Sequence, residues 1–224
     1  LVEKLFSNEK NNFYIFKFSK IFYLKENKNK YMNDVFNLKN IEHLYLDGYF
    51  QSPLYFKKIA NHISFELLPK KPKENKFCRI GRQMQRENSV AICIRLYEES
   101  KDPKVHFRSG NKIDMNKINN TLDKLLKKEK DLKFYVFCTK NDLSIKKLDL
   151  PKNAIFLTEE NGFFGAINNL WLIANCRHHI ITNSSFYWWG AWLSPYLKKN
   201  SNKIVFISNE FLNLDCKPDS WHYF

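Results

Sequence analysis

Two short stretches carry the side chains best suited to chemistry: Arg95, which closes SVAICIR (89–95), and Asn183-Ser184-Ser185 within ITNSSFYWWGAWL (181–193). An arginine at a strand end can offer phosphate oxygens a bidentate, charge-assisted pair. A strand that passes through a polar turn into a helix exposes first-turn N–H groups with no intrahelical partner, beside hydroxyl and amide side chains. Presented on one edge of a sheet, the two features favour a diphosphate-bearing ligand. Each also has a plainer reading, in which Ser184 or Ser185 caps the helix and Arg95 pairs with Glu98 or Glu99 on the surface.

The elements that must position these residues follow from the apolar pattern. From about residue 88, short apolar runs alternate with amphipathic stretches, as expected of a parallel sheet covered by helices. Strands are predicted at 89–95, 133–138, 154–157, 178–182 and 203–207. Helices are predicted over 114–130, with Met115, Ile118, Leu122, Leu125 and Leu126 facing the core, and over 163–176 and 185–193. Pro195 is expected to end or bend the last of these. Its large apolar residues fall on two faces, Phe186, Trp189 and Leu193 on one and Trp188 with Trp192 on another, which reads as core. The resulting α/β, Rossmann-like domain binds ligands at the carboxyl ends of its strands.

The first 87 residues differ in character. LYLDGYFQS (44–52) reads as a strand and loop broken at Gly48, and Ser52-Pro53 as an N-cap followed by Pro at the first helical position. This stretch does not supply an evident closed sheet. PKKPKENK (69–76) reads as a linker, so a domain boundary is expected there, with 1–76 as one part and 77–224 as the Rossmann-like domain.

Composition narrows the choices. The chain has 224 residues, 44% of them hydrophobic, and a formal charge of +14. That content suffices for a packed core. No run approaches the ~20 apolar residues of a membrane span, and LVEKLFSNEK lacks the order of a signal peptide. A basic surface attracts anions: nucleic acid, lipid headgroups or a phosphorylated substrate. Nucleic acid has no recognisable reader motif here. Six glycines without G-x-G-x-x-G or a P-loop argue against NAD enzymes and P-loop NTPases. Five dispersed cysteines without a C-x-x-C pair argue against zinc and disulfides and suit a reducing, cytoplasmic compartment.

ITNSSFYWWGAWL closely resembles the Asn-Ser-Ser/Thr-Phe-Ser-Trp-Trp-Gly-Ala-Trp/Tyr-Leu signature of glycosyltransferase family 11, the alpha-1,2-fucosyltransferases. LYLDGYFQSPLYFKKI (44–59), LWLIANCRHHIITNSS (170–185), KIVFISNEFLN and the closing DSW (219–221) extend the resemblance over roughly 40–224. It implies a GT-B-like fold, with a Rossmann-like nucleotide-sugar domain and a partial N-terminal, acceptor-side domain. The implied reaction is inverting and metal-independent transfer of fucose from GDP-L-fucose to the 2-hydroxyl of a galactose-containing glycan. It would take place in the cytoplasm, with peripheral contact at the inner face of the membrane. Arg95, Thr139, Asn183, Ser184, Ser185 and Phe186 would bind the donor, Arg95 would also act in catalysis, and Glu98 is the candidate base. The sequence departs from the family pattern in several places. The His-x-Arg-Arg-x-Asp segment appears as Cys93-Ile94-Arg95-Leu96-Tyr97-Glu98, a helical Asp is matched by Asn169, and a Ser-Asp-Asp-like strand end reads Cys138-Thr139-Lys140. No glycine-rich start is present and Leu1 is not Met, so a preceding segment is expected to be missing. These departures keep open a second reading, a non-catalytic relative that binds sugar nucleotide or glycan.

Overall fold

A computed structural model describes residues 13–15, 21–26, 30–39, 41–95, 114–139, 145–197, 202–211, 213 and 215–224. The chain divides into two compact units, Leu1–Lys58 with Phe211–Pro218, and Ile59–Glu210 with Asp219–Phe224. The boundary expected at 76 is therefore displaced to Lys58, and a late segment returns to the first unit.

In the first unit, β1 (Phe13–Ile15) runs antiparallel to β2 (Ile21–Lys25), and β2 runs parallel to β3 (His43–Asp47). The early residues thus form a three-stranded mixed sheet that the sequence did not reveal. Ser52 caps as expected, its Oγ accepting from the Leu54 amide at 3.3 Å with Pro53 next in line, but the turn it opens is a short 3-10 turn. The same hydroxyl donates to the Asp215 carbonyl at 2.9 Å, and the Asp215 carboxylate accepts from the Tyr31 amide at 2.7 Å. These bonds tie the returning segment 211–218 into the unit.

The second unit is built on six parallel strands: β4 (Asn88–Cys93), β5 (Leu132–Phe137), β6 (Ile155–Leu157), β7 (His178–Ile181), β8 (Val205–Ile207) and β9 (His222–Tyr223). They lie in the order β6-β5-β4-β7-β8-β9. Five occupy the predicted positions, and β9 adds a sixth near DSW. The inner strands are buried on both faces, which explains their continuous apolar runs.

Helix α3 (Met115–Lys128) covers one face of this sheet. Its Met115, Ile118, Leu122 and Leu125 pack with Val90, Ile92, Phe134 and Val136. Leu126, expected in that core, is 49% exposed because its position turns it off the buried stripe. The opposite face carries α2 (Asn75–Arg86), α4 (Ala166–Ala174) and α5 (Ser185–Leu197), while α1 (Ala60–Leu67) packs on α5. Two glycines allow close helix contacts: a Cβ on Gly81 would overlap the Trp171 ring, and one on Gly190 would overlap Ile173.

The supposed linker is part of this packing. Pro69 and Pro72 are buried, Cys78 Sγ donates to the Pro72 carbonyl at 3.0 Å, and Asn75 already begins α2. All five cysteines are buried and free. Among the described residues, no helix is long and apolar enough to cross a membrane. The second unit is a Rossmann-like sheet flanked by helices, a GT-B-like α/β architecture.

Candidate active site

Strand order decides where a ligand can sit. Numbered within its own sheet, the order is 3-2-1-4-5-6, so successive connections leave the first strand, β4, and the fourth, β7, in opposite directions. A crevice opens between such strands at their carboxyl ends, the topological switch point of a doubly wound sheet. Arg95 leaves β4 at that point, and Asn183, Ser184 and Ser185 leave β7 beside it.

Hydrogen bonds extend the β4–β7 ladder into the crevice. The Thr182 amide donates to the Cys93 carbonyl at 3.1 Å, and the Thr182 hydroxyl donates to the same oxygen at 3.1 Å. That hydroxyl accepts from the Arg95 amide at 2.9 Å. From the first turn of α5, the Tyr187 hydroxyl donates towards the Ile94 carbonyl at 3.2 Å, with the Phe137 carbonyl at 3.5 Å. The Ile94 amide in turn donates to Phe137 at 2.9 Å. Residues 93–95 are thereby fixed from both neighbouring strands and from the helix above them.

The sequence-predicted residues group around this seam. Arg95 and Ser185 are exposed, while Asn183, Ser184 and Phe186 are half-buried. The Trp188 amide donates to the Ser184 carbonyl at 3.0 Å, so the amides of Ser185 and Phe186 precede that first helical bond, where N–H groups favour an anion. Asn183 Nδ2 donates to the Glu210 carbonyl at 2.8 Å and so also ties the turn to the segment that follows β8. Thr139 lies two residues beyond the end of β5, one strand further out, and its carbonyl accepts from the Glu159 amide at 3.2 Å. The Phe186 ring sits edge-on to Tyr187 at 5.7 Å. Glu98 lies outside the described residues.

Cys93, at the same strand end, does not add a nucleophile, because burial pushes its thiol well above the usual range and keeps it protonated. Among the described residues, no group of three or more His, Cys, Asp or Glu could hold a metal ion.

The tryptophans behind the turn are packed against one another. Trp188 stacks on Trp192 with ring centroids 6.0 Å apart and 13° between planes, and meets Trp221 at 5.5 Å. Pro195 does not end α5, which continues to Leu197, although it lacks the N–H that would bond the Ala191 carbonyl one turn back. Lys203 Nζ donates to that carbonyl instead. The aromatic packing and this substitute bond hold the helix whose first turn borders the crevice.

The model of Glycosyl transferase family 11 matches residues 5–223. The chain belongs to glycosyl transferase family 11. Its resemblance to that family in ITNSSFYWWGAWL therefore extends over nearly the whole chain. This family 11 chain is also similar to an alpha-1,2-colitosyltransferase of Escherichia coli, 40% identical over 76 residues, which are 31% of the chain and 26% of that protein. The chain thus spans about a quarter of the length of that curated relative. No solved structure matches it.

Two residues of the family 11 seam escaped sequence reasoning, Thr182 and Tyr187. Thr182 read as the last strand residue and Tyr187 as one more aromatic of a core helix. The available signal was positional, a hydroxyl residue on each side of the Asn-Ser-Ser turn.

Proposed function

We propose that this family 11 chain transfers fucose from GDP-L-fucose to the 2-hydroxyl of a galactose-type acceptor, with inversion, in surface-glycan synthesis. The observation that carries this reading is the meeting of Arg95 with the Asn183–Ser185 turn at the switch point between β4 and β7. In the transfer, the bond from the sugar's anomeric carbon to the diphosphate oxygen breaks as the acceptor oxygen bonds that carbon from the opposite face. Negative charge accumulates on the departing GDP. Arg95, the Ser184 and Ser185 hydroxyls and the first-turn amides of α5 supply the compensating positive potential, preorganised in the fold. The reading needs no bound metal. Thr139 and Phe186 extend the donor site, and Glu98, three residues beyond Arg95, takes the acceptor proton. Arginine is too basic for that role at neutral pH. The basic surface suits an acceptor held at anionic lipid headgroups on the cytoplasmic face of a membrane.

A second reading concerns the sugar alone. The similarity to an alpha-1,2-colitosyltransferase favours colitose, which is fucose without its 3-hydroxyl. A site built to bond that hydroxyl rejects the deoxy sugar strongly, whereas an apolar pocket does not.

Ligand-dependent stability tests the donor class. GDP at ~100 times its Kd adds about 2.7 kcal/mol, enough to raise the melting temperature by about 5–10 °C for a chain of this size, with UDP giving less. No shift at millimolar GDP sinks the reading. GDP release that depends on a galactoside supports the enzyme, and binding without turnover supports a non-catalytic relative. Parallel assays with GDP-fucose and GDP-colitose assign the sugar.

A further inference from the structure

Arg95 is exposed at a strand end, and an exposed arginine on a loose backbone would be a poor anion ligand because ordering it costs entropy when the ligand binds. The backbone here is held. Thr182 Oγ1 accepts from the Arg95 amide at 2.9 Å, and the Tyr187 hydroxyl reaches the Ile94 carbonyl at 3.2 Å, so the N–H and the C=O of the single peptide group linking Ile94 to Arg95 are both bonded. The two hydroxyls flank the Asn183-Ser184-Ser185 turn, Thr182 directly before it and Tyr187 in the first turn of α5. Thr182 is 4% exposed and Tyr187 8%, which places both behind the crevice.

We propose that Thr182 and Tyr187 form a hydroxyl clamp that locks the Arg95 arm of the anion site to the Asn183–Ser185 arm. The two arms are then preorganised as a single unit. The proposal rests on the reading of this crevice as the diphosphate site. Thr182 and Tyr187 are positioning residues, acting through Arg95 without touching the ligand. Tyr187 suits the task because its ring spans from the helix to the ends of both β4 and β5, where the Phe137 carbonyl lies within 3.5 Å of the phenol. Polar groups enclosed in this way order a segment because leaving any of them unpaired is costly.

The clamp is tested with Tyr187→Phe, which keeps the ring, and with Thr182→Val, which keeps the side-chain shape. Hydrogen exchange without ligand is read at the Ile94 and Arg95 amides, with the Val205–Ile207 amides as reference. The clamp predicts about tenfold faster exchange at 94–95 in each variant and no change in the reference strand. GDP binding to the same variants should weaken about tenfold, the worth of one hydrogen bond. In an Arg95→Ala background the same changes should cost nothing further, a non-additivity that a merely structural role does not produce. Wild-type exchange at 94–95, acceleration throughout the chain, or losses that add to Arg95→Ala each overturn the clamp. If Tyr187→Phe fails to fold, Thr182→Val decides by the same criteria. If the wild-type chain does not bind GDP, the functional reading fails while exchange at 94–95 still judges the clamp.

Discussion

The two edges of the six-stranded sheet use similar polar residues to opposite ends. At the amino edge, His178 is fully buried and satisfied on both nitrogens: Nδ1 accepts from the Ile204 amide at 3.2 Å, leaving Nε2 to donate to Asn88 Oδ1 at 2.9 Å. Ser89 Oγ there donates to the Met84 carbonyl at 2.7 Å and accepts from the Arg177 amide at 3.1 Å. At the carboxyl edge, Arg95 and Ser185 face solvent and Asn183 and Ser184 are half-open. The polar groups of the amino edge are enclosed within the fold, whereas those of the carboxyl edge, Asn183 with its bond to Glu210 included, keep surface that a ligand can reach. Polarity alone does not mark a site; polarity left open where strand order makes a crevice does.

The largest effect expected from this contrast is on turnover. Arg95→Ala should lower transfer by about 10²–10³-fold, as removal of a charge-stabilising donor does, while changing stability by less than about 0.5 kcal/mol. Turnover and denaturant midpoint measured on the same preparation check it. An Arg95→Ala protein that melts early and turns over normally would reverse the assignment of the two edges.

The reciprocal change sharpens the contrast. His178→Leu removes a fully buried partner from Asn88 Oδ1 and the Ile204 amide, and should cost roughly 1–3 kcal/mol of stability. GDP affinity of the protein that remains folded should match the wild type. Weakened GDP binding at unchanged stability would show that the amino edge takes part in recognition.

Legibility in the sequence followed the same divide. The strands at 88–93, 132–137 and 178–181 were readable because buried parallel strands have unbroken apolar runs, and Arg95 and the Asn-Ser-Ser turn were readable because they end such runs. That β4 and β7 are neighbours was not readable, since 84 intervening residues separate Cys93 from His178 and the pairing is a tertiary fact. Helix α2 was missed although Phe77, Cys78, Ile80, Gly81 and Met84 share one face. Its stripe begins among prolines and lysines that mimic a linker, and it includes a glycine whose role depends on Trp171. That the helix runs on past Pro195 was hidden for a similar reason, because the group that takes up the freed carbonyl, Lys203, lies beyond the helix.

Lys203 provides the smallest and most specific test. It precedes β8 on the amino edge, with its ammonium bonded to the Ala191 carbonyl and 5.5 Å from the centroid of the Trp221 ring. Burial pushes Lys203 down to about 7 from its ordinary value of 10.5. The unfolded chain therefore holds this proton over a pH range in which the folded chain has released it. With more protons bound in the unfolded state, stability must rise with pH, beginning near 7 and continuing towards 10.5. Below 7 both states are protonated, the charged group remains enclosed, and its full cost is felt. Lys203→Met should flatten this rise between pH 7 and 9, as read from denaturant midpoints of the two proteins at each pH. It should also lower stability by about 1 kcal/mol at pH 9, because the Ala191 carbonyl opposite Pro195 loses its donor. Equal pH slopes in wild type and variant would mean that the ammonium is solvated after all, and that α5 tolerates its proline without help from the amino edge.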